Sequence, residues 1–357
     1  MSADASRPVR LWLWCVAALV FTTVIVGGAT RLTESGLSIV EWRPVTGMVP
    51  PLSQAEWAAE FEKYKVIPQY ELVNKGMSLD DFKVIFWWEW VHRILGRVIG
   101  VAFLLPFLWF LWRGAIAPGM RAGLAVIFGL GALQGGVGWW MVASGLSDRI
   151  HVSHDRLAFH FTLACVIYAA IIWTAARLVP APAPAAPPLR LRLGAFVLVA
   201  LTIVQFFLGA LVAGLRAGLI YNTWPLMDER FIPRGADLFF AQPIWINFLE
   251  NAMTVQFAHR MAGYVLLAAA LLHLIDVAAT RDRGARTLGW ALALVLAMVG
   301  QIALGVFTLI HFVPLWLALL HQAGALVVLT IAVLHAERLT PRRARAAAEP
   351  QAVADVG

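Results

Sequence analysis

Eight stretches of this chain are apolar for about the length of a membrane crossing, and polar, charged or proline-bearing segments separate them. They run near 11–29, 90–112, 122–142, 157–177, 194–214, 253–275, 288–310 and 314–336. A helix needs roughly 20 mostly apolar residues to cross the hydrocarbon core, so each run predicts one transmembrane helix. Several contain Gly and Ser, as expected where membrane helices pack closely. Arg7 and Arg10 precede the first run as they would in a signal peptide. No small-x-small cleavage site follows, and more spans do, which predicts a permanent first span.

Composition agrees with the pattern. The chain is 61% hydrophobic and 14% charged, whereas soluble domains are about a quarter charged. The fold class expected is an all-α polytopic membrane protein. Orientation follows from short-loop arginines. With the N-terminus inside, inner segments collect Arg7, Arg10, Arg113, Arg121, Arg177, Arg190, Arg192, Arg281, Arg283, Arg286, Arg338, Arg342, Arg343 and Arg345. Both termini are therefore expected in the cytoplasm, for a multi-pass protein of a bacterial inner membrane. The net charge of +7 then acts as an inner-leaflet anchor and calls for no nucleic acid. Cys15 and Cys165 fall inside predicted helices, so no disulfide framework is expected.

Val179–Pro188 is rich in proline and reads as a semi-rigid extended linker. It predicts an N-terminal four-helix bundle over 1–178, a linker over 179–192, a C-terminal bundle over 193–337 and a basic tail over 338–357. A repeat supports the division. His92 and His259 are 167 residues apart, as are Gln134 and Gln301, while His160 and His321 are 161 apart. Gln134-x-x-x-Gly138 and Gln301-x-x-x-Gly305 open one pattern, echoed by Gln205-x-x-x-Gly209. An even number of spans per half makes this a parallel repeat, its axis along the membrane normal. The first outer loop, 30–88, is too long for a simple connection. Ser53-Gln54-Ala55-Glu56 and Ser78-Leu79-Asp80-Asp81 look like helix starts. The second leads through Phe86-Trp87-Trp88-Glu89-Trp90, placed for an interfacial aromatic belt. A second long outer loop spans 215–251.

The duplicated chemistry is Glu89-Trp90-Val91-His92-Arg93-Ile94-Leu95-Gly96 against Gln256-Phe257-Ala258-His259-Arg260-Met261-Ala262-Gly263. Histidines inside a membrane segment are costly and mark function. His92 with His160, and His259 with His321, give two pairs at similar depth, as axial haem ligation in a four-helix bundle requires. The competing role is a helix-interface histidine, which four duplicated positions make the poorer account. Arg93 and Arg260 suit haem propionates, or they snorkel to headgroups. Glu89 shares a helix face with His92 and could serve as acid or base; Gln256 at the matching place could not. His151-Val152-Ser153-His154 has zinc-like spacing but no counterpart, and reads as a surface feature of its loop. His311 lies at an outer helix end, and His273 and His335 read as structural.

At this point the chain resembles the haem A synthase family, over most of its length. The likeness rests on Arg31-Leu32-Thr33-Glu34-Ser35-Gly36-Leu37-Ser38, Trp42-Arg43-Pro44-Val45-Thr46-Gly47, Phe86-Trp87-Trp88-Glu89-Trp90-Val91-His92-Arg93 and Tyr221-Asn222-Thr223-Trp224-Pro225-Leu226-Met227. The long first loop is similar to that of the proteobacterial and mitochondrial branch. The resemblance implies oxidation of the C8 methyl of haem O to a formyl group, by successive hydroxylations and dehydration. It implies His92 and His160 as ligands of the substrate haem, His259 and His321 as ligands of a permanent haem B, and Glu89 as the catalytic carboxylate. It implies haem O synthase (a farnesyltransferase) and cytochrome oxidase assembly factors as partners, and admits a homo-oligomer. Some members carry a cysteine pair in the first loop, and this chain has none there. The rival functions are a bis-haem cytochrome b that only transfers electrons, and a haem carrier that hands porphyrin on unchanged.

Overall fold

The computed structural model describes residues 3–179, 187–280 and 284–341. Most of the proline-rich linker (180–186), Arg281, Arg283 and the tail from Arg342 onward lie outside the described residues. Among those described there is no β-strand; the regular elements are twelve α-helices and three short 3-10 turns. The α-helices are α1 (Ala3–Leu32), α2 (Gln54–Lys65), α3 (Pro68–Leu72), α4 (Leu79–Trp112), α5 (Pro118–Ala143), α6 (His154–Arg177), α7 (Leu189–Gly214), α8 (Gly235–Leu238), α9 (Asn247–Glu250), α10 (Ala252–Ala279), α11 (Ala285–Ile310) and α12 (Leu315–Arg338). Eight of them, α1, α4–α7 and α10–α12, are long and apolar enough to cross a membrane. They match the eight apolar runs, each extended by polar or interfacial turns.

Each half packs as a ring of four. Helices α1–α4, α4–α5, α5–α6 and α6–α1 are in contact in the first, and α7–α10, α10–α11, α11–α12 and α12–α7 in the second. This fits the tandem, parallel four-helix arrangement that the repeat suggests. The halves meet along a seam in which α6 lies on α7 and α12, and α1 lies on α12. Leu326, Leu329 and Val333 of α12 and Phe206 of α7 join the buried apolar cluster of the first half. Polar ties also cross the seam: Tyr168 Oη with Thr330 Oγ1 at 2.8 Å, Gln322 Nε2 donating to Val24 O at 2.8 Å, and Arg177 Nη2 donating to Pro341 O at 3.4 Å.

The long loops lie on one face, hereafter the loop face. The first is folded rather than slack. Ser53 and Ser78 each form a capping box, with Glu56 and Asp81, which satisfies orphan N–H groups and fixes where α2 and α4 begin. Leu37, Trp57, Phe61, Tyr64, Ile67, Phe82, Phe86 and Val142 bury a small apolar core beneath it. With 34 residues, α4 is about 51 Å long, well over the roughly 30 Å hydrocarbon thickness. Its first turns stand clear of the membrane and carry that core.

At the loop face the halves are also pinned by charge. Arg31 Nη2 donates to Ala213 O and Gly214 O at 3.2 and 3.3 Å, at the end of α7 where the helix dipole is negative. Arg216 pairs with Glu34. The expectation that His154 is a surface feature is corrected here. It opens α6, is 7% exposed, lies 3.3 Å from Glu250, and packs directly on Gly214. A Cβ at Gly214 would sit 2.5 Å from His154 Cβ and 2.8 Å from its Cα, with backbone that cannot yield. Gly214→Ala should therefore cost about 1–3 kcal/mol, seen as earlier thermal unfolding in detergent. Gly100→Ala, where nothing lies within 4 Å, should leave the transition in place; equal transitions would contradict this account of the seam.

Candidate functional site

The four duplicated histidines share one local architecture. His92 lies on α4, His160 on α6, His259 on α10 and His321 on α12, all toward the loop face. Within each half the two histidines sit on opposite helices of the ring of four, α4 and α6 in the first and α10 and α12 in the second. Each ring lies against a glycine of the neighbouring helix. A Cβ built on Gly27, Gly138, Gly209 or Gly305 would stand 2.7, 2.9, 3.0 or 2.8 Å from Cε1 of His92, His160, His259 or His321 respectively. No side chain tolerates such contacts, so glycine is what lets an imidazole point into the bundle there. All four rings are half-buried, in contrast to His335, which is sealed.

Glutamine is the second element. Gln134 Nε2 donates to the carbonyl of His160 at 2.9 Å, Gln205 Nε2 to that of His259 at 3.0 Å, and Gln301 Nε2 to that of His321 at 2.7 Å. The same amides lie 3.0–3.1 Å from Nδ1 of those rings. The Gln-x-x-x-Gly pattern thus has a cause: one helical turn separates the amide that holds a histidine from the glycine that makes room for it.

Glu89 and Gln256 occupy equivalent, fully buried places and do related work with opposite polarity. Glu89 Oε1 accepts from Arg93 Nε and Nη2 at 3.0 and 2.6 Å, and Oε2 accepts from Ser38 Oγ and the Ile39 N–H at 2.8 and 2.9 Å. Gln256 Oε1 accepts from Arg260 Nη2 at 2.9 Å, while its Nε2 donates to Ala217 O and Tyr221 O at 2.9 and 3.3 Å. The first long loop presents donors and receives a carboxylate; the second presents carbonyls and receives an amide. The arginines complete both clamps: Arg93 also donates to Ile39 O and Glu41 O, and Arg260 to Tyr221 O and Leu226 O.

Arg93 is therefore committed to Glu89 and the loop, whereas Arg260 keeps a buried Nε without a partner, a donor suited to an anionic group. The paired, glycine-cradled imidazoles fit axial ligation of a haem in each half. Among the described residues no three His, Cys, Asp or Glu side chains gather as a metal set. The remaining histidines are placed elsewhere. His273 and His335 meet each other Nε2 to Nε2 at 2.8 Å. His311 is exposed, its Nδ1 2.8 Å from Phe307 O, and His151 is half-buried in the α5–α6 link. Cys15 and Cys165 are free thiols.

Residues 10–333 match the family model described as cytochrome oxidase assembly protein. Relatives named haem A synthase include one from Rhodopseudomonas palustris strain BisB5, 60% identical over 96% of this chain and 93% of its own length. A second, from strain HaA2, is 59% identical over 95% and 92%. A third, from Bradyrhizobium sp. strain ORS 278, is 58% identical over 98% and 96%. The chain belongs to the haem A synthase family.

Some site residues are invisible to sequence reasoning. Ser38 closes a quoted motif without a role there, and Ile39, whose N–H also donates to Glu89, stands just beyond it. Gly27 was missed because its interval to His92 is 65 residues, against 50 from Gly209 to His259; the longer first loop breaks the constant offset. The fourth member of the glycine series is thus Thr23-x-x-x-Gly27, with threonine where the others have glutamine. The clamps make a prediction. Glu89→Gln sets an amide against the Ser38 and Ile39 donors and strips Arg93 of its charge partner, a loss of about 3 kcal/mol or more for a buried pair. Hydrogen exchange should speed up across 33–78 and stay unchanged across 215–251. Gln256→Glu should do the reverse, and uniform exchange in either variant would contradict the clamp assignment.

Proposed function

We propose that the protein oxidises the C8 methyl of haem O to the formyl group of haem A. In this reading haem O lies between His92 and His160 in the N-terminal bundle, and haem B between His259 and His321 in the C-terminal bundle. The observation that carries it is the near-identity of two imidazole sites within a chain of this family, one beside a carboxylate and the other beside an amide. Bound haem B supplies reversible one-electron chemistry and so a way out for electrons taken from the substrate.

The protein's own residues supply position and proton handling. Turning methyl into formyl with water as the oxygen donor removes four electrons and four protons, through an alcohol and a gem-diol that loses water, and an external one-electron acceptor takes the electrons. Protons leave with them, and Glu89 is the acceptor within reach of His92. Its two oxygens are not equivalent. Oε1 is held by the fixed fork of Arg93, while Oε2 is bonded to a hydroxyl that can rotate and to one backbone N–H. We assign proton acceptance to Oε2, with Arg93 fixing the orientation of the carboxylate through Oε1. An apolar groove of about 260 Å³ between α5 and α6, lined by Val137, Trp140, Phe159 and Leu163, suits the isoprenoid tail of haem O. A substrate so apolar also favours direct handover from haem O synthase in the plane of an inner membrane.

The test is mass analysis of haem extracted from protein co-expressed with a haem O source. Wild type should yield haem B together with haem A or hydroxylated haem O. Glu89→Ala should retain haem B and accumulate haem O, with product falling at least about 100-fold, the scale of a lost general base. His259→Ala should lose haem B. Haem B alone in wild type would overturn the synthase reading and leave an electron-transfer cytochrome.

A further inference from the structure

The face of α1 that looks into the first bundle is apolar until its last turn. Val9, Leu13, Val16, Val20 and Val24 recur every three or four residues and lie buried in the core of that half, the spacing of one helical face. Gly27 continues the stripe and cradles His92. The next member, one turn nearer the loop face, is Arg31. Its Nη2 spans the seam to Ala213 O and Gly214 O, and its Nε is buried without a partner. Among the described residues no carboxylate pairs with it; Glu34, three positions on, is taken by Arg216. A cation on an interior stripe with an unmet donor calls for an anion.

The two halves agree on this point. Among the described residues each keeps one buried arginine Nε unpartnered, Arg31 in the first and Arg260 in the second, while Arg93 commits its own Nε to Glu89. The ring of four supplies the direction. His92 on α4 and His160 on α6 lie on opposite helices, so a macrocycle held between them turns its edges toward α1 and α5. In haem O the farnesyl chain and the propionates stand on opposite edges of the ring. The groove between α5 and α6 lies at one edge, and Arg31 at the other. One propionate shares its pyrrole with the C8 methyl, so a propionate anchored on α1 brings that methyl to the same side. Thr30 Oγ1 donates to Trp88 O at 3.1 Å, which sets Arg31 and Glu89, the next residue on each helix, at one level.

Resting on the function proposed above, we infer that Arg31 receives a propionate of the substrate haem through its Nε–H, and so presents the C8 methyl to Glu89. The bond is charge-assisted and withdrawn from water, the kind that separates a carboxylate from a neutral group of the same shape. Arg31 is a substrate-binding residue and takes no part in moving protons or electrons.

The experiment reads binding rather than turnover. Full-length protein is purified in detergent from cells without a haem O source, so that haem B alone can be resident. It is titrated with haem O and with haem O dimethyl ester, whose propionates carry no charge, and the Soret band is followed. Wild type should bind haem O about 10- to 100-fold more tightly than the ester. In Arg31→Met the two should bind alike, at the affinity of the ester. In Arg31→Lys, which keeps a charge but not the fork, haem O should hold part of its advantage. Haem B content should be unchanged in both variants. Should Arg31→Met fail to fold, wild type and Arg31→Lys decide the matter. An ester bound by wild type as tightly as haem O, or a preference undiminished in either folded variant, would overturn the inference. Failure of wild type to bind haem O at all, or binding untouched by His92→Ala and His160→Ala, would instead sink the reading of the first half as the substrate site.

Discussion

Everything in the two bundles is arranged around a contact between an imidazole and a helix that lacks a side chain at that level. A Cβ at any of four glycines would press on Cε1 of the opposite histidine at 3.0 Å or less, so the choice of glycine sets the interhelical distance and the ring orientation together. Nothing else in the site has so little latitude. The amides, the arginines and the loop clamps act on a ring whose position that contact has already fixed.

The loops are the second layer, and their polarity is coupled to the chemistry beneath. A carboxylate at Glu89 requires donors from above, which Ser38, Ile39 and Arg93 supply; an amide at Gln256 requires acceptors, which Ala217 and Tyr221 supply. Each loop is therefore matched to one protonation chemistry. Exchanging Glu for Gln between the halves changes the seat of a folded loop as well as a titratable group. In the first half that loop has its own aromatic core, so the carboxylate is presented by a rigid cap rather than by a mobile strap.

Much of this was legible in the chain. Eight spans follow from apolar length, and the paired histidines from offsets of 167 and 161 residues between the halves. The Gln-x-x-x-Gly pattern was visible but mute, because a repeated pair of residues does not say that one grips a histidine and the other yields to it. Thr23 and Gly27 were hidden by unequal loop lengths. His154 was misread because its burial depends on Gly214, 60 residues away in the other half, a packing relation that no local pattern carries. The partners of Glu89 depend on how the loop folds back, which is likewise a tertiary fact.

One further pair lies at the opposite end of the C-terminal bundle. His273 and His335 lie 14 residues beyond His259 and His321 on the same two helices, about 21 Å away at 1.5 Å per residue. Their Nε2 atoms touch at 2.8 Å with ring centroids 5.1 Å apart, a nearly straight N–H···N hydrogen bond. Two nitrogens on opposite sides of one metal stand about 4 Å apart, at roughly 2 Å per bond, so this pair is closed against an axial iron. The pair is thus a polar lock between α10 and α12 at the end away from the loops, set apart from the glycine-cradled imidazoles toward the loop face.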